Sequence, residues 1–157
     1  MESRVRVGEL CVNDSKTGMP AVLLVENNEN DVLLVRRSFE RAGFGHQVQS
    51  VGSGQDAIAY LRGNPPYDDR GKFPLPGLLL LDIKMPGMDG FEVLQWIRRQ
   101  WEFSHLCVAM LTTSDEIRDV NRAYKLGADS FLVKPLDFEN AAELFRSLDS
   151  VLARGHS

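Results

Sequence analysis

The stretch LLLLDIKMPGMDG, residues Leu78 to Gly90, decides the fold. Four consecutive leucines suit a strand that is buried on both faces, as in a parallel sheet with helices on either side. The run stops at Asp82 and then breaks into a loop that contains proline and glycine. Because ligands of open α/β sheets bind at the carboxyl ends of the strands, we expect Asp82 to serve chemistry rather than packing.

Outward from this stretch, short apolar runs alternate with segments of helical periodicity in both directions along the chain. The predicted strands are Ala21–Val25, Gln47–Val51, Leu78–Leu81, Leu106–Leu111 and Ser130–Val133. The predicted helices are Asn30–Arg41, a second that begins at Ser53 or Gly54, Gly90–Arg99 with Asp89 as N-cap, Glu116–Leu126 and Phe138–Ala153. Five strands alternating with five helices predict an α/β fold with a parallel sheet and right-handed crossovers.

The 157 residues fit one domain. Residues 1–19 lack clean periodicity, so we expect an N-terminal leader there and the domain in residues 20–157. Residues 62–77, RGNPPYDDRGKFPLPG, contain four prolines and three glycines and predict a long surface loop. This insertion could be a tolerated loop, or it could be a partner-binding or dimer element that uses Tyr67 and Phe73.

Composition narrows the class of protein. A net charge of -4 argues against a broad basic surface for nucleic acid or anionic lipid. The longest apolar runs fall far short of the roughly 20 residues that cross a bilayer, and the first 20 residues carry no continuous apolar stretch of a secretory signal. We therefore expect a cytoplasmic protein with neither membrane nor nucleic-acid contacts.

Polar side chains follow four of the predicted strands. Glu26 and Asn27 follow the first strand, Asp82 ends the third, and Thr112 and Lys134 follow the fourth and the fifth. Carboxylates, a hydroxyl and a lysine at one sheet edge suit Mg²⁺ and phosphate, and an aspartate can itself form a covalent phosphate intermediate. No GxSxG elbow, Walker A loop or GxGxxG fingerprint competes with this interpretation.

Four motifs together resemble the receiver domain of two-component response regulators: LLVENNENDVLLV, LLLLDIKMPGMDGFEVL, AMLTTSDE and GADSFLVKP. Thr112 lies 30 residues beyond Asp82 and Lys134 lies 52 residues beyond it (112 − 82 and 134 − 82), as in the family pattern. The resemblance implies a doubly wound, flavodoxin-like sheet with strand order 2-1-3-4-5. It covers the chain from about Ala21 onward and leaves only the leader outside.

The resemblance also implies roles for single residues. Asp82 matches the phosphoacceptor, Lys134 the phosphate-contacting lysine and Thr112 the switch hydroxyl, with Thr113 offering its backbone N–H to the phosphoryl group. Phe131 matches the aromatic residue that rotates inward when the hydroxyl moves, although a permanently buried phenylalanine is the alternative. Lys84 and Ser114 would modulate the site.

The metal site departs from the family pattern. The family carries an acidic pair where this chain has Glu26 and Asn27, and the missing second acid is the direct Mg²⁺ ligand. The resemblance leaves Glu26, Asp82 and the backbone carbonyl of Lys84 to hold Mg²⁺, with Asn27 a poorer ligand, so we expect weaker binding. The Lys84 side chain either offsets the lost metal charge or is simply solvated.

The function implied is that of a stand-alone response regulator in a phosphorelay. A sensor histidine kinase or phosphotransfer protein would phosphorylate Asp82, and the signal would leave by a conformational change rather than by enzymatic turnover. The last two helices and strand five would form the responding surface, which could also mediate a homodimer. The alternative is a pseudo-receiver that binds partners constitutively because Asn27 impairs Mg²⁺ binding. The segment DRGKFPLPG resembles the insertion of small regulators paired with phytochrome-type or other sensor kinases.

Overall fold

The structure, a computed structural model, describes residues 21–43, 48–113, 117–134 and 142–143. The strands are β1 (Val22–Val25), β2 (Val48–Val51), β3 (Leu78–Asp82), β4 (Cys107–Thr112) and β5 (Ser130–Val133). The helices are α1 (Glu29–Arg41), α2 (Gly54–Arg62), α3 (Gly90–Arg99) and α4 (Ile117–Lys125), with a short 3-10 helix at Trp101–Phe103.

All five strands are parallel and lie in the order β2-β1-β3-β4-β5. Val25 of β1 is in register with Leu81 of β3, and Asp82 with Leu111 of β4. The order reverses between β1 and β3, which places a crevice beside the end of β3. The predicted doubly wound, flavodoxin-like α/β fold is confirmed.

The leucine run is buried on both faces of the sheet, as predicted. Leu79 and Leu81 belong to one core cluster, which is completed by α2, α3 and α4 through residues that include Tyr60, Val93, Leu94, Ile97 and Ala123. Leu78 and Leu80 belong to the opposite cluster, which contains Val35 and Phe39 of α1. Burial on both faces fixes β3 in the centre of the molecule, so its carboxyl end is held rigidly.

Three helices begin at side-chain caps on the carboxyl edge of the sheet. The Asn28 side chain caps α1 and the Ser53 side chain caps α2. Asp89 caps α3 in a capping box, in which it accepts from the Glu92 N–H while the Glu92 carboxylate accepts from the Asp89 N–H. The predicted cap at Asp89 is therefore confirmed.

Most predicted boundaries agree with the structure to within one residue. Thr112, expected just beyond the fourth strand, is its last residue. The leader at residues 1–19 lies outside the described residues, and so does nearly all of the fifth predicted helix, of which Ala142 and Glu143 are helical. Four α-helices are therefore described where five were expected. Among these described helices, none has the length and apolar character needed to cross a membrane.

The loop at residues 62–77 is folded back onto the body of the protein. The rings of Tyr60, Tyr67 and Phe73 pack together with centroids 5.2 to 5.9 Å apart, Phe73 edge-to-face against both tyrosines and the two tyrosines tilted against each other. Arg70 donates to the carbonyls of Tyr60, Leu61 and Phe73, and it thereby binds the last turn of α2. Tyr67 and Phe73 are partly buried in these contacts rather than fully presented to a partner.

Candidate functional site

Asp82 is the last residue of the central strand, and its side chain is buried. The Ile83 N–H continues the ladder to the Leu111 carbonyl, and the Gly90 N–H donates to the Ile83 carbonyl at 2.9 Å. A β carbon on Gly90 would overlap the carbonyl oxygen of Asp82. The glycine therefore allows the N-terminus of α3 to close directly over the backbone that carries the carboxylate.

Glu26 follows β1, and its backbone N–H donates to the Val51 carbonyl at 3.0 Å. Its buried carboxylate accepts from the Asn28 N–H through Oε2 at 3.1 Å. The Asn28 side chain in turn accepts from the N–H groups of Asn30 and Asp31. The polar segment after β1 thus fixes the Glu26 carboxylate and the first turn of α1 relative to each other.

Lys134 joins three carboxylates at this edge. Its Nζ lies 2.5 Å from Glu26 Oε1, 3.0 Å from Asp31 Oδ2 and 3.5 Å from Asp82 Oδ1. Its backbone N–H donates to the Thr112 carbonyl at 2.7 Å, which ties the end of β5 to the end of β4. The structure therefore brings together Glu26, Asp82 and Lys134, three of the residues selected from the sequence.

Asp31 is a member of the cluster that was not predicted from the sequence. This residue lies in the first turn of α1 and is separated from Lys134 by 103 residues. An acidic residue in a first turn is ordinarily explained by the helix dipole, so the sequence gives no reason to single it out. The signal that could have found it is its position in the first turn of α1, the helix that follows Glu26 in the chain.

The charges of the cluster shift two pKa values. Burial, and then repulsion from Glu26, raise the pKa of Asp82 from 3.8 to about 6, although Lys134 opposes the shift. Burial alone would lower the pKa of Lys134, but its contacts with Glu26 and Asp31 and the charge of Asp82 raise it above the ordinary value. The lysine is therefore a firmly charged ammonium, whereas Asp82 is a carboxylate that its surroundings make more basic.

The remaining predicted residues lie around this cluster. Thr112 is buried at the end of β4, in register with Val133, and Thr113 follows it on the surface. Lys84 is exposed two residues after Asp82. Phe131 is partly buried against the α2, α3 and α4 side of the core.

Asn27 does not join the cluster. Asn27 is exposed and has no hydrogen bond or ion pair within residues 21–43, 48–113, 117–134 and 142–143. Ser114 lies outside the described residues.

The donor atoms suit a hard cation that keeps part of its water shell. Glu26 and Asp82 supply two buried carboxylates, and among the described residues the buried Glu26 Oε1 has an ion pair with the Lys134 ammonium but no hydrogen bond. Within the described part of the chain, no three His, Cys, Asp or Glu side chains form a metal-binding group. Two carboxylates with a backbone carbonyl and waters match Mg²⁺ better than a metal that needs a full protein cage.

The site contains a buried carboxylate with a raised pKa and one ammonium, and it lies at the switch point of a doubly wound sheet. These features are typical of a site that binds an anionic group together with a cation. The family model of the response regulator receiver domain matches residues 22–146 of this chain. The chain belongs to the response regulator receiver family of two-component systems.

Three relatives show how far the similarity extends. The probable methanogenesis regulatory protein FilR2 of Methanothrix harundinacea is 40% identical over 119 residues, covering 76% of this chain and 74% of that protein. The crystal structure of response regulator RPA3017 in red light signaling of R. palustris superimposes with a TM-score of 0.73 at 34% identity, covering 83% of this chain and 91% of that one. The Mn²⁺-bound form of response regulator Rcp1 gives a TM-score of 0.68 at 29% identity, covering 83% of this chain and 92% of that one.

Proposed function

We propose that this protein is a stand-alone response regulator whose Asp82 accepts a phosphoryl group from a histidine kinase. The observation that carries the proposal is the buried Asp82 carboxylate 3.5 Å from the Lys134 ammonium, beside a second buried carboxylate at Glu26. A structural ion pair would need one acid for one lysine, whereas this cluster has an excess of acids. Excess negative charge in a buried pocket is suited to a bound cation and a reacting nucleophile.

The reaction is a direct displacement at phosphorus. An oxygen of Asp82 forms a bond to the phosphorus of a phosphohistidine, the N–P bond breaks, and its electron pair remains on the imidazole nitrogen. The raised pKa of Asp82, about 6, still leaves the carboxylate ionised at neutral pH while making it more basic than a solvated aspartate. Lys134 is near enough to pair with the transferred group, and Thr112 supplies a hydroxyl on the adjacent strand.

Glu26, Asp82 and the backbone carbonyl of Lys84 would hold Mg²⁺. The bound ion would supply positive charge against the phosphoryl oxygens. Asn27 is neutral where the family has an acid. The buried carboxylates of Glu26 and Asp82 would therefore be the two negatively charged ligands of the ion. We therefore propose weak Mg²⁺ binding rather than its loss.

The donor is proposed to be a sensor histidine kinase or a phosphotransfer protein. Similarity to RPA3017, a regulator in red light signaling, supports a kinase of the light-sensing type as a candidate. We propose a cytoplasmic location, with protein partners rather than a membrane or a nucleic acid.

Output would pass from the site to α4 and β5. The Lys134 N–H bonds the Thr112 carbonyl, so a displacement of either residue is transmitted between β4 and β5. We propose that phosphorylation moves Thr112, Thr113 and Phe131. Lys84 and Ser114 are proposed to modulate the site. Ile117 is 76% exposed, and Tyr124 and Val133 are also exposed, which gives this face apolar groups for a partner or a second copy of the chain.

The acceptor assignment is tested with acetyl phosphate and Mg²⁺. We expect a mass increase of one phosphoryl group, stable in acid and labile in base, in the wild type and in Asp68→Ala, which alters an exposed loop carboxylate. Asp82→Ala should show no adduct. If the wild type takes up no phosphoryl group from this donor or from a histidine kinase, the switch assignment is wrong and a constitutive pseudo-receiver becomes the better description.

A further inference from the structure

We propose that Asp31 is a positioning residue of the site, which holds the Lys134 ammonium away from Asp82 and thereby limits how strongly the protein retains a phosphoryl group. This inference rests on the proposed function, since it concerns the same reaction. Lys134 Nζ lies 3.0 Å from Asp31 Oδ2 but 3.5 Å from Asp82 Oδ1, so the lysine has a closer partner than the acceptor. Neither the family match nor the sequence motifs assign a role to Asp31.

The hydrogen-bonding capacity of the lysine explains the competition. An ammonium has three N–H donors, and the described contacts of Lys134 are with three carboxylates, at Glu26, Asp31 and Asp82. A phosphoryl group on Asp82 brings further acceptor oxygens and more negative charge into the same space. The donor that now faces Asp82 can pass to one of those oxygens, but for the ammonium to pair with more than one of them, its contact with Glu26 or Asp31 must lengthen.

Asp31 is the contact that is easiest to release. Its side chain is 31% exposed, so water can solvate the carboxylate when the lysine leaves, whereas the Glu26 side chain is only 1% exposed. Breaking the pair with Glu26 would leave a buried charge uncompensated, which is far more costly. The ion pair between Asp31 and Lys134 must therefore be broken when Lys134 moves onto the phosphoryl group. The free energy of this pair reduces the free energy gained by that move.

The local sequence fixes Asp31 in this position. Glu26 Oε2 accepts from the Asn28 N–H, and Asn28 Oδ1 accepts from the Asp31 N–H at 3.1 Å. The two carboxylates that hold the lysine are thus linked through the N-cap of α1. A carboxylate placed by such a frame restrains the lysine more firmly than a mobile surface side chain could.

The variant Asp31→Asn tests the proposal, with Glu29→Gln as the matched control. Glu29 is an exposed acid in the same helical turn, and it is not among the described ion pairs of Lys134. Both changes remove one negative charge from the first turn of α1, but only the first releases the lysine. Asp31→Glu keeps the charge and serves as the conservative variant.

Beryllofluoride, a phosphoryl mimic, gives the equilibrium measurement in the presence of Mg²⁺. We expect Asp31→Asn to bind beryllofluoride roughly three- to tenfold more tightly than the wild type, with Asp31→Glu intermediate and Glu29→Gln within about twofold of the wild type. Side-chain ¹⁵N NMR of the lysines provides an independent measurement. The Lys134 ammonium signal of the free protein should shift in Asp31→Asn and remain in place in Glu29→Gln.

The outcomes separate this inference from the function on which it rests. If the wild type binds beryllofluoride and Asp31→Asn binds it no better than Glu29→Gln, Asp31 does not restrain the lysine. An unchanged Lys134 NMR signal in Asp31→Asn would contradict the inference even without any ligand. If the wild type and all variants fail to bind beryllofluoride and to accept phosphate, while the NMR shift occurs as expected, the proposed function is what has failed.

Discussion

Gly90 packs directly against the backbone of Asp82. A β carbon at Gly90 would overlap the Asp82 carbonyl oxygen and would come within 2.8 Å of the Ile83 Cα atom. Both neighbours are backbone atoms of the central strand or its end, so neither can move aside cheaply. The contact sets the distance between α3 and β3. It thereby also fixes the position of the loop between them, which carries Lys84.

Gly90→Ala should therefore destabilise the protein by about 1–3 kcal/mol, because the overlap forces α3 away from the strand. Chemical denaturation measures the change. Gly52→Ala is the matched control, since a β carbon there would meet no atom within 4 Å and no positive φ is involved. Equal stability of the two alanine variants would show that the α3 contact is not tight.

Asp82→Asn should make the protein more stable at neutral pH. The pKa of Asp82 is raised to about 6 in the folded protein, so the folded state holds the proton more tightly than the unfolded state. Stability associated with this group is fully present below pH 3.8, declines as pH rises toward 6, and stays low above it. An asparagine at this position has no charge at any pH, so the Asp82→Asn protein does not lose this stability as pH rises.

The expected gain for Asp82→Asn is on the order of 1–3 kcal/mol at about pH 7.5, shrinking toward zero near pH 4. Urea denaturation at a series of pH values measures it, with Asp68→Asn as the exposed control. A gain that stays constant over the whole pH range would refute the electrostatic explanation.

Asn27→Asp should tighten Mg²⁺ binding by about tenfold, because an added carboxylate next to Glu26 restores a charge that attracts the ion. Isothermal titration calorimetry provides the affinity. Asn30→Asp, three residues further along and exposed, is the control for added charge in the same segment. No change in affinity on Asn27→Asp would mean that the lost acid is irrelevant to the metal.

Arg98→Ala should cost about 2–3 kcal/mol of stability, because several backbone carbonyls would lose a charged donor. Arg98 donates to the Gly127 carbonyl through Nε at 3.0 Å and Nη2 at 2.7 Å, to the Leu106 carbonyl at 2.7 Å, and forms an ion pair with Asp129. These contacts join the end of α3 to the end of α4. Arg99→Ala, which alters the exposed neighbouring residue, should change the denaturation midpoint little.

Sequence by itself determined the elements and their order. The leucine run, the alternation of strand and helix patterns and the cap at Asp89 are local signals, because the period of a strand or a helix is set by neighbouring residues. The spacing of Thr112 and Lys134 from Asp82 indicated which polar residues would meet at the sheet edge. The contact between Lys134 and Asp82 agrees with that expectation.

Tertiary structure decided what those residues contact. Asp31 and Lys134 are 103 residues apart, and they meet only because the parallel sheet brings the residue after β5 and the first turn of α1 to the same carboxyl edge. Arg98 likewise reaches Gly127 across 29 residues, and the loop at residues 62–77 folds through the tilted and edge-to-face packing of Tyr60, Tyr67 and Phe73. The physical reason is that periodicity and caps act over a few residues, whereas charge pairing and burial depend on distances that the chain acquires only when the whole sheet has assembled.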